Sequence, residues 1–136
     1  MDINDYLTSF RTDGERIRML ATQDLSLPIP CCDGWSLGDL VGHLCGVLTM
    51  INTVVESGAP PTQRPTVPTD AALATFYGEA LDRLDNTLTN TDPHAAGWNW
   101  SQGPGVAEFW FRRAAHEMAI HRWDAEAAVN DCQPFD

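Results

Sequence analysis

The stretch AAHEMAIHRWDAE, residues 114–126, carries two histidines and several carboxylates in one helix-like segment. It differs from the zinc-protease motif H-E-x-x-H, whose two histidines are four residues apart and share a face. His116 and His121 are five residues apart, which separates them by about 140° around a helix. Glu117 and His121 are four apart, or about 40°, so these two side chains can converge on one ion.

The same spacing shows which way this pair points. Residues three and four apart form one stripe along the helix, apolar at its ends and ionisable in its middle. Its members are Val106, Trp110, Ala114, Glu117, His121, Asp124 and Ala128. A carboxylate that faces a bundle core is costly unless it is paired or binds a metal, and the chain has no lysine. Arg113, one turn before Glu117, gives the alternative of an internal ion pair without metal.

A third candidate ligand lies in an earlier helical segment. His43 is about 60° from Leu40 and about 40° from Val47, on the shoulder of that helix's apolar stripe. Two ligands from one helix and one from another are typical of metal sites in bundle cores. Such a set leaves coordination positions open for water or substrate. The spacing therefore favours a divalent-metal site made of His43, Glu117 and His121.

Two further side chains are predicted to support these ligands. Asp124 follows His121 by three residues and can accept a hydrogen bond from its second ring nitrogen. A salt bridge from Asp124 to Arg122 or Arg113 is the alternative. Arg113 can also pair with Glu117. Zinc is the preferred ion. Nickel or another first-row metal is the alternative, because the affinity of a site alone discriminates poorly among these ions.

Amphipathic periodicity predicts four helices that position these residues. They are expected near residues 3–23, 36–56, 69–89 and 105–130. Ser36 and Asp39 resemble a capping box at the second helix, and Thr69 or Asp70 is predicted to cap the third. No segment alternates as a strand would. The predicted fold class is all-α, an antiparallel four-helix bundle forming a single domain over residues 1–136.

Composition narrows the classes of function. The net charge of −11 argues against a nucleic-acid partner. The chain has no run of about 18 apolar residues and no signal-peptide pattern, so we expect no membrane association and a cytoplasmic location. The oligomeric state is left open, with a homodimer as one alternative, because a small bundle with five tryptophans can expose apolar area.

The cysteines lack the spacing of a structural zinc site. They stand at positions 31, 32, 45 and 132. A disulfide between the neighbours Cys31 and Cys32 would strain the backbone. We expect four reduced thiols, with a bond from Cys132 to Cys31 or Cys32 as the minor alternative.

Two blocks of the sequence resemble a known family. They are CDGWSLGDLVGHLCG (32–46) and FWFRRAAHEMAIHRWDAEAAV (109–129). Together they resemble the mycothiol-dependent maleylpyruvate isomerase family, and within it the N-terminal metal-binding domain, a DinB-like (YfiT-like) four-helix bundle. The resemblance implies a divalent ion, usually zinc, held by a histidine of the first block and by the E-x-x-x-H of the second. By motif match these ligands are His43, Glu117 and His121.

The resemblance also implies a function. The open coordination position in the family takes the thiol of mycothiol, and a metal-bound thiol is delivered as a thiolate to an electrophile. We therefore expect a mycothiol-dependent isomerase or thiol transferase, with mycothiol as co-substrate and a small electrophilic substrate. The alternative is a non-catalytic metal-binding or regulatory bundle. Characterised isomerases of the family carry a further C-terminal domain, which we expect to be absent here.

Overall fold

The computed structural model describes residues 1–101 and 105–130 of the chain. Four helices form its framework: α1 (Ile3–Leu20), α2 (Leu37–Ser57), α3 (Leu73–Thr89) and α4 (Glu108–Ala128). Within the described ranges there is no strand, only isolated β-bridges between loop residues. The predicted all-α four-helix bundle is confirmed.

Helix α2 begins and ends at local signals in the sequence. The Ser36 hydroxyl accepts a hydrogen bond from the backbone N–H of Asp39, and the Asp39 carboxylate accepts one from the N–H of Ser36. This is the predicted capping box. At the other end Gly58 adopts a left-handed conformation with φ of 68°, which favours glycine, and its N–H donates to the carbonyl of Val54.

Helix α3 begins later than the sequence pattern indicated. Its N-cap is Ala72, which makes no side-chain capping bond, so the prediction of Thr69 or Asp70 as the cap is wrong. The Asp70 carboxylate instead accepts a hydrogen bond from the N–H of Ala72, and the N–H of Leu73 donates to the Asp70 carbonyl. This turn delays the start of the helix to Leu73.

Helices α1 and α3 run in opposite directions. Arg11 near the middle of α1 pairs with Asp85, whereas Arg18 near its end pairs with Asp82, earlier in α3. The helices follow the order α1, α4, α2, α3 around the bundle. The α1–α3 pair is therefore an antiparallel pair of neighbours.

Helices α1 and α4 run in the same direction. Tyr6 contacts the ring of His116, and further along both helices Asp13 pairs with Arg122. Helices α2 and α3 also end together, because Thr87 near the end of α3 donates to the side chain of Asn52 in α2. Two helices thus run each way. As a result, the first half of α2 and the second half of α4 lie at the same end of the bundle.

Helix α2 supplies the most apolar part of the core. By length and composition alone it could cross a membrane, with a mean hydropathy of 1.4. Leu40, Leu44 and Leu48 are fully buried against the other helices. The core helix of a folded bundle can pass the same test, and the apolar residues of α2 are accounted for by this burial.

Tyr77 joins three helices within the core. The side chain is fully buried, and its hydroxyl donates to the Gly14 carbonyl of α1 at 2.9 Å. The hydroxyl also lies 3.6 Å from the sulfur of Met118 in α4. The phenol therefore pairs its polar atom inside an otherwise apolar region.

We expect Tyr77→Phe to lower the free energy of unfolding by about 1 kcal/mol, because the hydrogen bond is lost while the ring stays buried. Urea denaturation followed by circular dichroism measures the change. Tyr6→Phe is the matched control and should change stability less, since Tyr6 is only half-buried. Equal stability of Tyr77→Phe and the wild type would contradict the prediction.

Candidate metal centre

The three predicted ligands lie together at one end of the bundle. His43 stands in the second turn of α2, and Glu117 and His121 stand on successive turns of α4. Their ligand atoms all lie within 4.8 Å of one another. Glu117 Oε2 is 3.3 Å from His121 Nε2 and 4.0 Å from His43 Nε2. Residues 74 positions apart in the chain thus meet as the helical geometry predicted.

These separations fit a divalent ion. Nitrogen and oxygen ligands at about 2.0–2.1 Å from a tetrahedral ion lie about 3.3 Å from each other. The 3.3 Å between Glu117 and His121 already matches this value. His43 Nε2 lies farther from Glu117 Oε2, at 4.0 Å, so a small approach of this ring would bring it to the same spacing. The donor set is therefore suited to an ion such as zinc.

His121 lies between two carboxylates. Its Nδ1 is 3.1 Å from Asp124 Oδ2, and its Nε2 faces Glu117. The hydrogen bond to Glu117 raises the pKa of His121 most, Asp124 adds to it, and burial opposes it. The same bond lowers the pKa of Glu117. A carboxylate oxygen and a ring nitrogen this close need a proton or a cation between them, so a metal ion would replace that proton.

The predicted hydrogen bond from His121 to Asp124 is present in the structure. Since the Asp124 carboxylate accepts the Nδ1 proton, loss of the Nε2 proton to an incoming metal ion would leave the Nε2 lone pair directed toward Glu117 and His43. Asp124 is nearly buried, with 8% of its surface exposed. It therefore has little freedom to leave this position.

Arg113 pairs with Glu117, as the ion-pair alternative required. Its Nη2 lies 2.7 Å from Glu117 Oε1, and its guanidinium lies over the ring of Trp100. The arginine occupies one carboxylate oxygen and leaves Oε2 for the two imidazoles. Ion pair and metal binding are thus compatible in this geometry.

Trp35 contacts the site, which the sequence did not indicate. Its ring centre lies 5.6 Å from that of His43, edge to face, and the His43 and His121 rings are 5.2 Å apart. Burial lowers the pKa of His43, and the charge of His121 lowers it further. The charge of Glu117 opposes these effects, and the net direction favours the neutral imidazole, the form that binds metals.

Cys31 also reaches the site, through Asp124. Its thiol donates to Asp124 Oδ1 at 3.0 Å, and this bond raises the pKa of the thiol to about 11. The contact joins residues 93 positions apart, so no local spacing could have predicted it. Cys31, Cys32 and Cys45 are free thiols, whereas Cys132 lies outside the described residues. Burial raises the pKa of Cys45 to about 12, consistent with a core residue and not a ligand.

Comparisons with known proteins place the chain beside characterised relatives. The family described as mycothiol maleylpyruvate isomerase N-terminal domain matches residues 10–126. The crystal structure of a mycothiol-dependent maleylpyruvate isomerase superposes with a TM-score of 0.71 and 14% identity. The match covers 91% of this chain and 60% of that chain, so this chain spans less than two thirds of the relative, and at this identity the likeness is one of fold. No curated protein matched.

The family match covers the first block and residues 109–126 of the second, including all three candidate ligands, and the superposition independently supports the bundle that brings them together. The chain belongs to the mycothiol maleylpyruvate isomerase N-terminal domain family.

Proposed function

We propose that this protein is a divalent-metal-dependent, mycothiol-using protein of the isomerase or thiol-transferase type. The observation that carries the proposal is the convergence of His43, Glu117 and His121 on one point. A divalent ion held there, zinc by preference or nickel, would lower the pKa of a thiol ligand and keep it as the thiolate. The thiolate would then add to a small electrophile.

The surrounding residues have distinct roles in this proposal. Glu117 contributes the negative charge of the site and bonds Arg113 through its other oxygen. Asp124 fixes the ring of His121 by accepting its Nδ1 proton. Trp35 packs against His43 and restricts the orientation of that ring. Together these contacts preorganise the ligands before a metal or thiol arrives.

An accessible site favours the catalytic alternative over a non-catalytic bundle. Within residues 1–101 and 105–130, the group contains three protein ligands and no fourth histidine, cysteine, aspartate or glutamate. Structural zinc sites usually have four protein ligands, whereas catalytic sites keep a position open. The exposed edge of His43 gives a thiol a route to that position.

The substrate and location follow from the family and the chemistry. Maleylpyruvate is the first electrophile to test, because the related proteins are named for it. A soluble, cytoplasmic protein is consistent with the free thiols of Cys31, Cys32 and Cys45. We propose that residues 1–136 act as a single domain.

Cobalt substitution tests this function. Protein carrying Cys31→Ser and Cys32→Ser is loaded with Co(II), so that its own neighbouring thiols do not contribute, and mycothiol is added. We expect a new thiolate-to-cobalt charge-transfer band that S-methylated mycothiol does not produce. His43→Ala should weaken or remove this response. If the spectrum of the cobalt-loaded protein does not change when mycothiol is added, the proposed thiol chemistry is wrong, whereas the proposed metal site is unaffected.

Removing the support of His121 should weaken metal binding. In the same Cys31→Ser, Cys32→Ser background, we expect Asp124→Ala to lower zinc affinity by about 10- to 100-fold, because the imidazole loses the partner that orients it. Competition with a chromophoric chelator measures the affinity. Asp82→Ala is the control, since Asp82 lies on α3, away from the site. Equal affinities for the two variants would show that the hydrogen bond does not orient the ligand.

A further inference from the structure

A second cluster of metal-binding atoms lies beside the first. Cys31, Cys32 and Asp124 offer two sulfurs and one carboxylate oxygen, all within 4.8 Å of one another. The two sulfurs are 4.0 Å apart, and Cys31 Sγ lies 3.0 Å from Asp124 Oδ1. The proposed function leaves both thiols without a role.

The loop that carries the two cysteines is closed by its own hydrogen bonds. The N–H of Ile29 donates to the carbonyl of Trp35, the N–H of Trp35 to Cys32, and the N–H of Cys32 to Ile29. Gly34 permits the turn with φ of 81°. The buried side chain of Ile29 anchors the loop to the core. The backbone positions of both cysteines are therefore fixed, which places their side chains next to each other.

The spacing of the sulfurs fits tetrahedral coordination. Two thiolates at about 2.3 Å from one ion lie about 3.8 Å apart, close to the observed 4.0 Å. Thiolates select soft and borderline ions such as zinc and cadmium, and a carboxylate completes many such sites. Cys31 is exposed and Cys32 half-exposed, so an ion can enter from solvent.

We propose that Cys31, Cys32 and Asp124 form a second metal site, specific for a thiophilic divalent ion of the zinc and cadmium class. The two thiols each lose a proton to solvent as two metal–sulfur bonds form, and Asp124 Oδ1 supplies the third ligand. The other oxygen, Oδ2, still accepts from His121. The two sites thus share Asp124, yet the second does not depend on the proposed use of mycothiol.

Cadmium titration of the reduced, metal-free protein tests the second site, because cadmium bound to thiolate absorbs in the ultraviolet. We expect a saturable thiolate-to-cadmium band in the wild type, whose final amplitude corresponds to one thiolate-bound cadmium ion per chain. The band should disappear in the Cys31→Ser, Cys32→Ser variant. It should remain in the single variants Cys45→Ala and Cys132→Ser, which keep Cys31 and Cys32. It should also remain in the double variant His43→Ala, His121→Ala, which lacks the first site. Thermal melting confirms that each variant is folded.

Each contrary outcome has a distinct meaning. A wild type without the band, or a double cysteine variant that keeps it, would overturn the second site. Loss of the band in His43→Ala, His121→Ala would also overturn it, because the thiols would then complete the first site. Failure of the cobalt protein to respond to mycothiol refutes only the thiol-transfer function and leaves the cadmium result unaffected.

Discussion

His43→Ala, Glu117→Ala and His121→Ala should each lose stoichiometric zinc. Each variant removes one of three protein ligands, so the loss of affinity should exceed the roughly 10- to 100-fold typical of an outer hydrogen-bond partner. The three variants should have the same effect, because the donor atoms of all three residues lie within 4.8 Å of one another and are expected to hold one ion. Elemental analysis after zinc loading and desalting measures the bound metal.

The zinc content of these variants is best compared in the Cys31→Ser, Cys32→Ser background. The second cluster cannot bind metal there, so the measured zinc reports the first site alone. His116→Ala is the matched control, because His116 lies on the same helix, is exposed and packs its ring against Tyr6. That variant should keep its zinc. The site is wrongly assigned if the background protein, offered zinc and nickel, stays metal-free. It is also wrongly assigned if His116→Ala loses metal while His121→Ala retains it.

The proposed ligand set could be read from the sequence because it depends on helical periodicity. Glu117 and His121 stand four apart, and Asp124 follows three later, so their shared face is fixed by the helix itself. The contact of this face with His43 depends in addition on the packing of α2 against α4, which residue spacing alone does not give. Local hydrogen bonding also made the Ser36 cap predictable.

Other contacts depend on tertiary packing that the sequence pattern does not encode. Along α3, the residues spaced three and four apart are Leu73, Phe76, Ala80 and Leu84, which predicts a buried Phe76. Tyr77 is instead fully buried and Phe76 only partly, because the Tyr77 hydroxyl donates to a carbonyl on α1. Cys31 meets Asp124 through the shape of a loop. In both cases the partner lies on another element, and its position cannot be obtained from residue spacing.

A buried charge network between α1 and α4 was missed for the same reason. Arg122 donates to Asp13 and to Glu126, each at 2.8 Å, and Arg16 donates to Glu126 at 3.0 Å. Glu126 is fully buried, and the Arg122 side chain is only 8% exposed. Charged residues in a helix usually indicate a solvent-facing side. Here they face a neighbouring helix that carries opposite charge, so the network holds α1 against α4.

Breaking this network should cause a large loss of stability. We expect Arg122→Ala to lower the free energy of unfolding by about 3–5 kcal/mol. Asp13 would remain buried without this cationic partner, and Glu126 would keep its bond to Arg16 but lose the one to Arg122. Urea denaturation of metal-free protein, followed by circular dichroism, measures the effect. Testing metal-free protein separates it from any change at His121, the preceding residue.

An exposed ion pair between helices provides the matched control for Arg122→Ala. Arg11 pairs with Asp85 at 2.8 Å, with side chains 46% and 34% exposed. Because solvent already screens this pair, Arg11→Ala should cost about 1 kcal/mol or less. Both variants remove an arginine from an ion pair between helices, so the difference between their losses of stability reports the effect of burial. If Arg122→Ala is no less stable than Arg11→Ala, the buried network does not hold α1 against α4, and apolar packing alone must account for that interface.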